Sequence, residues 1–365
     1  MSERVRVLVI DDSALMRKLI PRILEQDASI EVVGTAMDGN FGLKKIKELA
    51  PQVVTLDLEM PGLNGIDTLK EIMRRWKLPV IVVSSHSTAG AAITMKALTL
   101  GAFDFVAKPS EVSAHMPEIA GELIGKIQAA ALQGNAQPFF VPQKKRGAME
   151  KAAPAAPTRV IAIGVSTGGP NALQYLFSHL PTDFAGTLLV VQHMPHGFTE
   201  LFAKRLDDTC PIRVKEAQGG DLLLAGRALV CPGNRHLKVK RLPLGNVALL
   251  TGDEPVNGHR PSADVLLGSV AQEFGAQAVG VLMTGMGEDG AAGMGAIQAA
   301  GGVTIAQSQK TCVVYGMPRA AIERGYVRHT VDLQDLPKLL LSQCGAEEKG
   351  GEERDRGKAT SAASN

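Results

Sequence analysis

Apolar residues in this chain come in short unbroken runs, separated by stretches in which they recur every three or four positions. Five runs open the sequence: Val5–Ile10, Glu31–Ala36, Val53–Asp57, Val80–Ser84 and Phe103–Ala107. Runs of this length suit strands buried on both faces. Between the first two, Leu15, Leu19 and Ile23 fall at i, i+4 and i+8, with Met16, Ile20 and Leu24 beside them. That is the stripe of an amphipathic helix. Pro21 lies inside it and should kink it or remove a hydrogen bond. From Gln133 to Pro157 the pattern breaks into Gly, Gln, the basic run Lys144-Lys145-Arg146 and a Pro/Ala stretch, which reads as a linker with a solvated charge run. A second block of strand runs follows: Val160–Val165, Thr187–Gln192, Ala228–Cys231, Ala278–Thr284 and Val303–Ala306. Helical stretches Asn171–Leu180, Ala263–Phe274 and Ala291–Ala300 lie among them. After Cys344 the chain is polar, charged and Gly-rich, which predicts a disordered tail. Strand and helix alternate throughout, so the expected fold is α/β, with two doubly wound parallel-sheet domains. The boundaries read as 1–125, a linker 126–157, a second domain 158–345 and the tail 346–365.

Composition narrows this picture. The 365 residues are enough for two ordinary domains. Apolar residues make up 45% and aromatic residues only 4%, so the cores must be built from Val, Ile, Leu, Ala and Met. A net charge of +2 supplies no bulk attraction to a phosphate backbone, and no nucleic-acid partner is expected. Cys210, Cys231, Cys312 and Cys344 form no C-x-x-C pair and read as reduced apolar fillers. No apolar run approaches the roughly 18 residues that span a bilayer, and the N-terminus enters a strand directly. A cytoplasmic protein without direct membrane insertion is expected.

Candidate chemistry gathers at strand ends. Asp11 and Asp12 end the first strand, and Asp57 ends the third. In a flavodoxin-like sheet of order 2-1-3-4-5 these strands are neighbours, and ligands bind beyond their C-terminal ends. Three converging carboxylates repel one another unless a cation joins them. All-oxygen ligands in an open site favour Mg²⁺. A carboxylate beside such an ion can act as nucleophile toward a phosphoryl group. Ser84 ends the fourth strand and Lys108, before Pro109, ends the fifth. A serine hydroxyl and a lysine charge there would hold phosphoryl oxygens. Phe105 is a candidate rotamer switch nearby. Singly, an acidic strand end reads as a helix cap and an aromatic as core.

The second block carries Gly164-Val165-Ser166-Thr167-Gly168, a G-x-S-x-G run between a strand and a helix that opens near Gly169-Pro170. The helix N-terminus, at Thr167, Gly168 and Gly169, offers N–H groups to an oxyanion. His193 ends the next strand, and Asp289 follows the strand Ala278–Thr284. A Ser, His, Asp chain order differs from that of α/β-hydrolases, although the chemistry can be the same. His196, His236 and His259 are rival bases, and Glu288 and Asp264 rival acids. Gly285–Gly290 also fits G-x-G-x-x-G, a dinucleotide fingerprint. Two features weigh against it: Glu288 and Asp289 oppose a pyrophosphate, and no acid follows about 20 residues on.

Over roughly residues 1–125 the motifs Asp11-Asp12, Asp57, Ser84 and Lys108-Pro109 resemble those of response-regulator receiver domains. The second half has more specific runs: Ile163–Pro170, Gln192–Thr199, Cys231–Leu237, Arg260–Asp264, Leu282–Gly290 and Tyr315–Pro318. Together they resemble the chemotaxis response regulator protein-glutamate methylesterases. That resemblance implies Ser166 as nucleophile, His193 as base and Asp289 as orienting acid, with no cofactor for the ester chemistry. It implies phosphorylation of Asp57 by a chemotaxis histidine kinase. It also implies the substrate, glutamate methyl esters on the cytoplasmic helices of chemoreceptors, with deamidation of certain glutamines as a second activity. Two other function classes compete: a phospho-controlled binding module with an inactive hydrolase fold, and a receiver-linked transcription regulator. The absence of a helix-turn-helix pattern weighs against the latter.

Overall fold

A computed structural model describes residues 4–85, 87–108, 116–134 and 156–345. The linker run Lys144–Arg146, Pro109 and the tail after residue 345 lie outside the described residues. The first half runs β1 (Val5–Ile10), α1 (Met16–Leu24), β2 (Ile30–Ala36), α2 (Gly39–Leu49), β3 (Val53–Asp57), α3 (Gly65–Arg75), β4 (Val80–Ser84), α4 (Thr88–Thr99), β5 (Asp104–Ala107) and α5 (Met116–Gln133). Its sheet is parallel in the order β2-β1-β3-β4-β5. This places β1 beside β3, as the carboxylate pattern required. Every residue of β3 and β4 is buried, which is why these strands read as unbroken apolar runs. Helix α1 continues through Pro21.

The second half runs β6 (Val160–Val165), α6 (Gly169–Ser178), β7 (Thr187–Gln192), α7 (Phe198–Thr209), β8 (Arg213–Glu216), β9 (Arg227–Val230), β10 (His236–Lys240), β11 (Val247–Thr251), α8 (Ala263–Phe274), β12 (Ala278–Leu282), α9 (Ala291–Ala299), β13 (Val303–Gln307), α10 (Met317–Glu323), β14 (His329–Val331) and α11 (Leu336–Gln343). Seven strands form one parallel sheet, β14-β13-β12-β6-β7-β9-β8, and β10 and β11 pair as a separate hairpin. From β6 the chain winds outward through β7, then returns to lay β12 on the other side. The strand order therefore reverses at β6, and the crevice there is where ligands bind in such sheets.

One boundary differs from expectation. Helix α5 runs to Gln133, so an end at residue 125 falls inside it. Leu123, Ile127 and Ala130 keep the helical spacing past that point and pack with Val7, Val9 and Val83 of the sheet. Strands β8, β10, β11 and β14 were not among the strands expected. Charged residues interrupt β8 (Arg213-Val214-Lys215-Glu216) and β10, β14 is only three residues long, and the apolar β11 lies in the hairpin outside the parallel sheet.

Candidate active site

Strand β6 ends in a sharp turn that is locked from several sides. The Ser166 N–H donates to Thr284 O at 3.0 Å, and Ser166 O accepts from Gly169 N–H at 2.8 Å and from Gln192 Nε2 at 3.0 Å. Gly168 has φ +76°, a left-handed conformation that favours glycine, and it caps α6. A Cβ on Gly169 would sit 2.0 Å from Gln192 Oε1 and 2.8 Å from Val165 Cγ2, so glycine lets this turn close over β7 without displacing either side chain. Gly169 N–H is thus spent inside the turn, which leaves Thr167 and Gly168 as the donors able to face an oxyanion.

His193 and Asp289 meet across this turn. His193 Nε2 lies 2.8 Å from Asp289 Oδ2, with the histidine side chain 10% exposed and the aspartate fully buried. His193 Nδ1 is buried and has no hydrogen-bond partner among the described residues. Asp289 sits on the N-terminus of α8. Ser262 Oγ–H donates to its Oδ1 at 2.7 Å, Ala263 N–H to Oδ2 at 2.7 Å and Asp264 N–H to Oδ1 at 3.2 Å. Burial pushes this carboxyl up. The hydrogen bond and charge of His193, then Ser262 and Ala263, outweigh it and hold it at about 2.

The rival residues have other employment. His236 is buried, with Nε2 at 3.1 Å from Glu254 O and Nδ1 accepting from Ser262 N–H at 3.3 Å. Asp264 accepts from Gly293 N–H at 2.7 Å at the start of α9 and from Asn257 Nδ2 at 2.8 Å. Glu288 pairs with Arg324. His196 is exposed. Asp289 fills the Gly285–Gly290 turn that a dinucleotide would need. Ser262 was missed by sequence reasoning, because its role depends on α8 crossing the end of β12.

In the first half, Asp11, Asp12 and Asp57 each offer an oxygen within 4.8 Å of the others. Lys108 Nζ lies 2.6 Å from Asp57 Oδ2 and 3.1 Å from Asp11 Oδ2. Despite that second contact, Asp11 Oδ2 is a buried acceptor with no hydrogen-bond donor among the described residues. Burial pushes the Asp11 carboxyl up against the pull of Lys108, and the charge of Asp57 adds to that push. Burial pulls Lys108 down, yet its bond to Asp57 and the two carboxylate charges hold it above the usual lysine range. An under-neutralised carboxylate trio fits a divalent cation. Ser84 Oγ–H donates to Gly90 O at 3.1 Å, away from the trio.

The two halves touch through β5, α4 and α5. Phe105 is 4% exposed and stacks on Phe198 with ring centroids 4.9 Å apart. Helix α4 packs on α7. Asp104 reaches across to the Ser166 turn: its Oδ2 accepts from Gly168 N–H at 2.9 Å. The buried Lys126 lies 3.4 Å from Asp104 Oδ1 and 2.6 Å from Glu122 Oε1. Met286, in the loop that carries Asp289, lies over Gly125, where a Cβ would come within 2.6 Å of its sulfur.

A receiver-type sheet carrying an acidic trio, joined to a second parallel sheet with Ser, His and Asp at one switch point, defines a receiver-linked serine hydrolase. Residues 161–340 match the family model described as CheB methylesterase, and residues 7–119 match the response regulator receiver domain. A protein-glutamate methylesterase/protein-glutamine glutaminase of Koribacter versatilis is 57% identical over 352 residues, covering 94% of this chain and 97% of that protein. The protein of the same name from Symbiobacterium thermophilum is 46% identical, covering 94% and 99%. Among solved structures, the Thermotoga maritima CheB methylesterase catalytic domain is 37% identical, with a TM-score of 0.50, covering 52% of this chain and 99% of that one. The chain belongs to the family of CheB-type protein-glutamate methylesterases.

Proposed function

We propose that the chain hydrolyses glutamate methyl esters on the cytoplasmic helices of chemoreceptors, deamidates certain of their glutamines, and is activated by phosphorylation of Asp57. The observation that carries the ester chemistry is the His193–Asp289 pair at 2.8 Å beside the Ser166 turn. Asp289 occupies Nε2, so Nδ1 is the nitrogen left to take the Ser166 proton. Ser166 Oγ attacks the ester carbonyl, and Thr167 and Gly168 N–H groups hold the oxyanion. His193 returns its proton to the departing methanol. Water, deprotonated by His193, then opens the acyl-enzyme and frees the carboxylate. With a glutamine the leaving group is ammonia. Among the described residues no helix is long and apolar enough to cross a membrane.

Asp57 is the proposed phosphoacceptor, supplied by a chemotaxis histidine kinase. Asp11, Asp12 and Asp57 would hold Mg²⁺, which when bound neutralises charge on the entering phosphoryl group. Lys108 would pair with a phosphoryl oxygen, and Ser84 would turn from Gly90 to donate to another. Methanol release from methylated receptor, with and without a small phosphodonor, tests the reading. Faster release with phosphodonor is expected. No methanol in either condition leaves the inactive binding module as the better account.

Asp104 gives the control a specific form. Its carboxylate occupies the Gly168 N–H needed by the oxyanion, and Phe105 on β5 anchors the contact. Phosphorylation then acts by shifting the population away from this docked state. Asp104→Asn weakens a charge-assisted bond worth about 1.4 kcal/mol or more, so the unphosphorylated chain should hydrolyse ester about tenfold faster. An unchanged basal rate, with normal activation by phosphodonor, would reject this role.

A further inference from the structure

His259 takes no part in the proton path above, yet it lies directly against the base. Its imidazole stacks on that of His193, with centroids 4.0 Å apart and planes 9° from parallel. The base needs such support. One hydrogen bond, from Nε2 to Asp289, holds one edge of the His193 ring, and Nδ1 has no partner among the described residues. The terminal torsion of a histidine is soft, so a single bond leaves the ring free to tilt. A flat neighbour at stacking distance removes that freedom.

The backbone that presents His259 is tightly built. Val256 N–H donates to His259 O at 3.0 Å and His259 N–H to Val256 O at 2.9 Å, closing a two-residue turn. Asn257 and Gly258 at its tip have φ +52° and +76°, the positive pair of a type I′ turn, for which Asn-Gly is the preferred sequence. The next residue, Arg260, pins the segment to its surroundings: Nε and Nη2 donate to Asn234 Oδ1 at 2.9 and 2.6 Å, and Nη1 donates to Asp253 O at 3.1 Å. Two residues further on, Ser262 and Ala263 grip Asp289. One short segment thus holds both the acid and the plane of the base.

We infer that His259 is a positioning residue: its stacked ring sets the plane of His193 so that Nδ1 faces Ser166. This rests on the reading of His193 as base. Neutrality suits the role, since a charged His259 would oppose the imidazolium that His193 becomes. Burial, and then the charge of His193, push His259 below the usual histidine range; Asp289 and the receiver's Glu122 pull the other way. Among the described residues these three are the ionisable groups that act on it.

The test compares His259→Ala and His259→Phe in the full chain activated by phosphodonor, with His193→Ala as reference and folding checked by thermal melting. Methanol release from methylated receptor gives kcat and KM separately, and fluorophosphonate labelling of Ser166 gives a readout without receptor. His259→Ala should lower kcat and labelling by on the order of 10²-fold with KM little changed, the cost of a misplaced catalytic group. His259→Phe keeps a flat stacking surface and should recover most of that loss at pH 8. Its acid limb should fall with one proton, where the wild type steepens toward two as His259 also charges. Equal losses in Ala and Phe, or full kcat in Ala, would overturn the positioning role. If His193→Ala itself retains activity, the assignment of the base fails instead.

Discussion

Ser166→Ala is expected to lower kcat for ester hydrolysis by about 10⁶, the scale at which removing a triad nucleophile acts elsewhere. Several features make the expectation this large. The turn that carries Ser166 is fixed by Thr284 O, Gln192 Nε2 and Gly169 N–H, so the hydroxyl is delivered to one place. The cysteines cannot substitute for it: all four are buried, and burial alone pushes the Cys312 thiol up to about 12. Removing the hydroxyl leaves the turn's bonds intact, because all of them are made by the Ser166 backbone. The melting temperature should therefore be unchanged while activity disappears. Adding His193→Ala should cost little more, since nucleophile and base act as a unit. The measurement is methanol release from methylated receptor by the phosphodonor-activated chain. Near wild-type release by Ser166→Ala would sink the nucleophile assignment.

Asp289→Asn should cost about 10⁴ in kcat, by a different route. The carboxylate accepts from Ser262 Oγ–H, Ala263 N–H and Asp264 N–H, as well as from His193 Nε2. An amide brings one acceptor and one donor to a place that needs only acceptors. If its oxygen stays with the α8 donors, its NH₂ faces Nε2. His193 must then carry its proton on Nδ1, and it can no longer accept one from Ser166. Stability should change as well. Asp289 titrates at about 2 when folded, against an ordinary value of 3.8. This contributes on the order of 2 kcal/mol, which is fully present above pH 4 and lost as pH falls through 2. Wild type should therefore exceed Asp289→Asn in stability at neutral pH, with the gap closing on acidification. Equal kcat in the two proteins would remove Asp289 from the triad.

Sequence alone determined a good deal here, and the reason is strand burial. Where a strand is covered on both faces, it must be written as an apolar run. The strands β1, β3, β4, β6 and β7 were therefore legible to the residue, and with them the strand-end positions of Asp57, Ser84, Ser166 and His193. Chemistry at the ends of parallel strands shares one rim, so clustering could be expected before any coordinates were known. The substrate was different: it followed only from family resemblance, because no spacing encodes what an ester is attached to.

What only the tertiary structure decided lies between elements distant in sequence. Edge strands such as β8 and β14 were silent, because they are short and their solvent-facing residues break the pattern. Ser262 reads as an ordinary helix N-cap, and its service to Asp289 depends on α8 starting against the loop after β12. His259 was one of several rival bases until its ring lay flat on His193. Asp104 reads as a strand residue, and its bond to Gly168 N–H exists only because the first sheet docks on the second. The physical reason is common to all three. A hydrogen bond or a stacked ring depends on where two separate backbones place their atoms, to within a few tenths of an ångström. Periodicity records which face of an element is buried, but not which partner it is buried against.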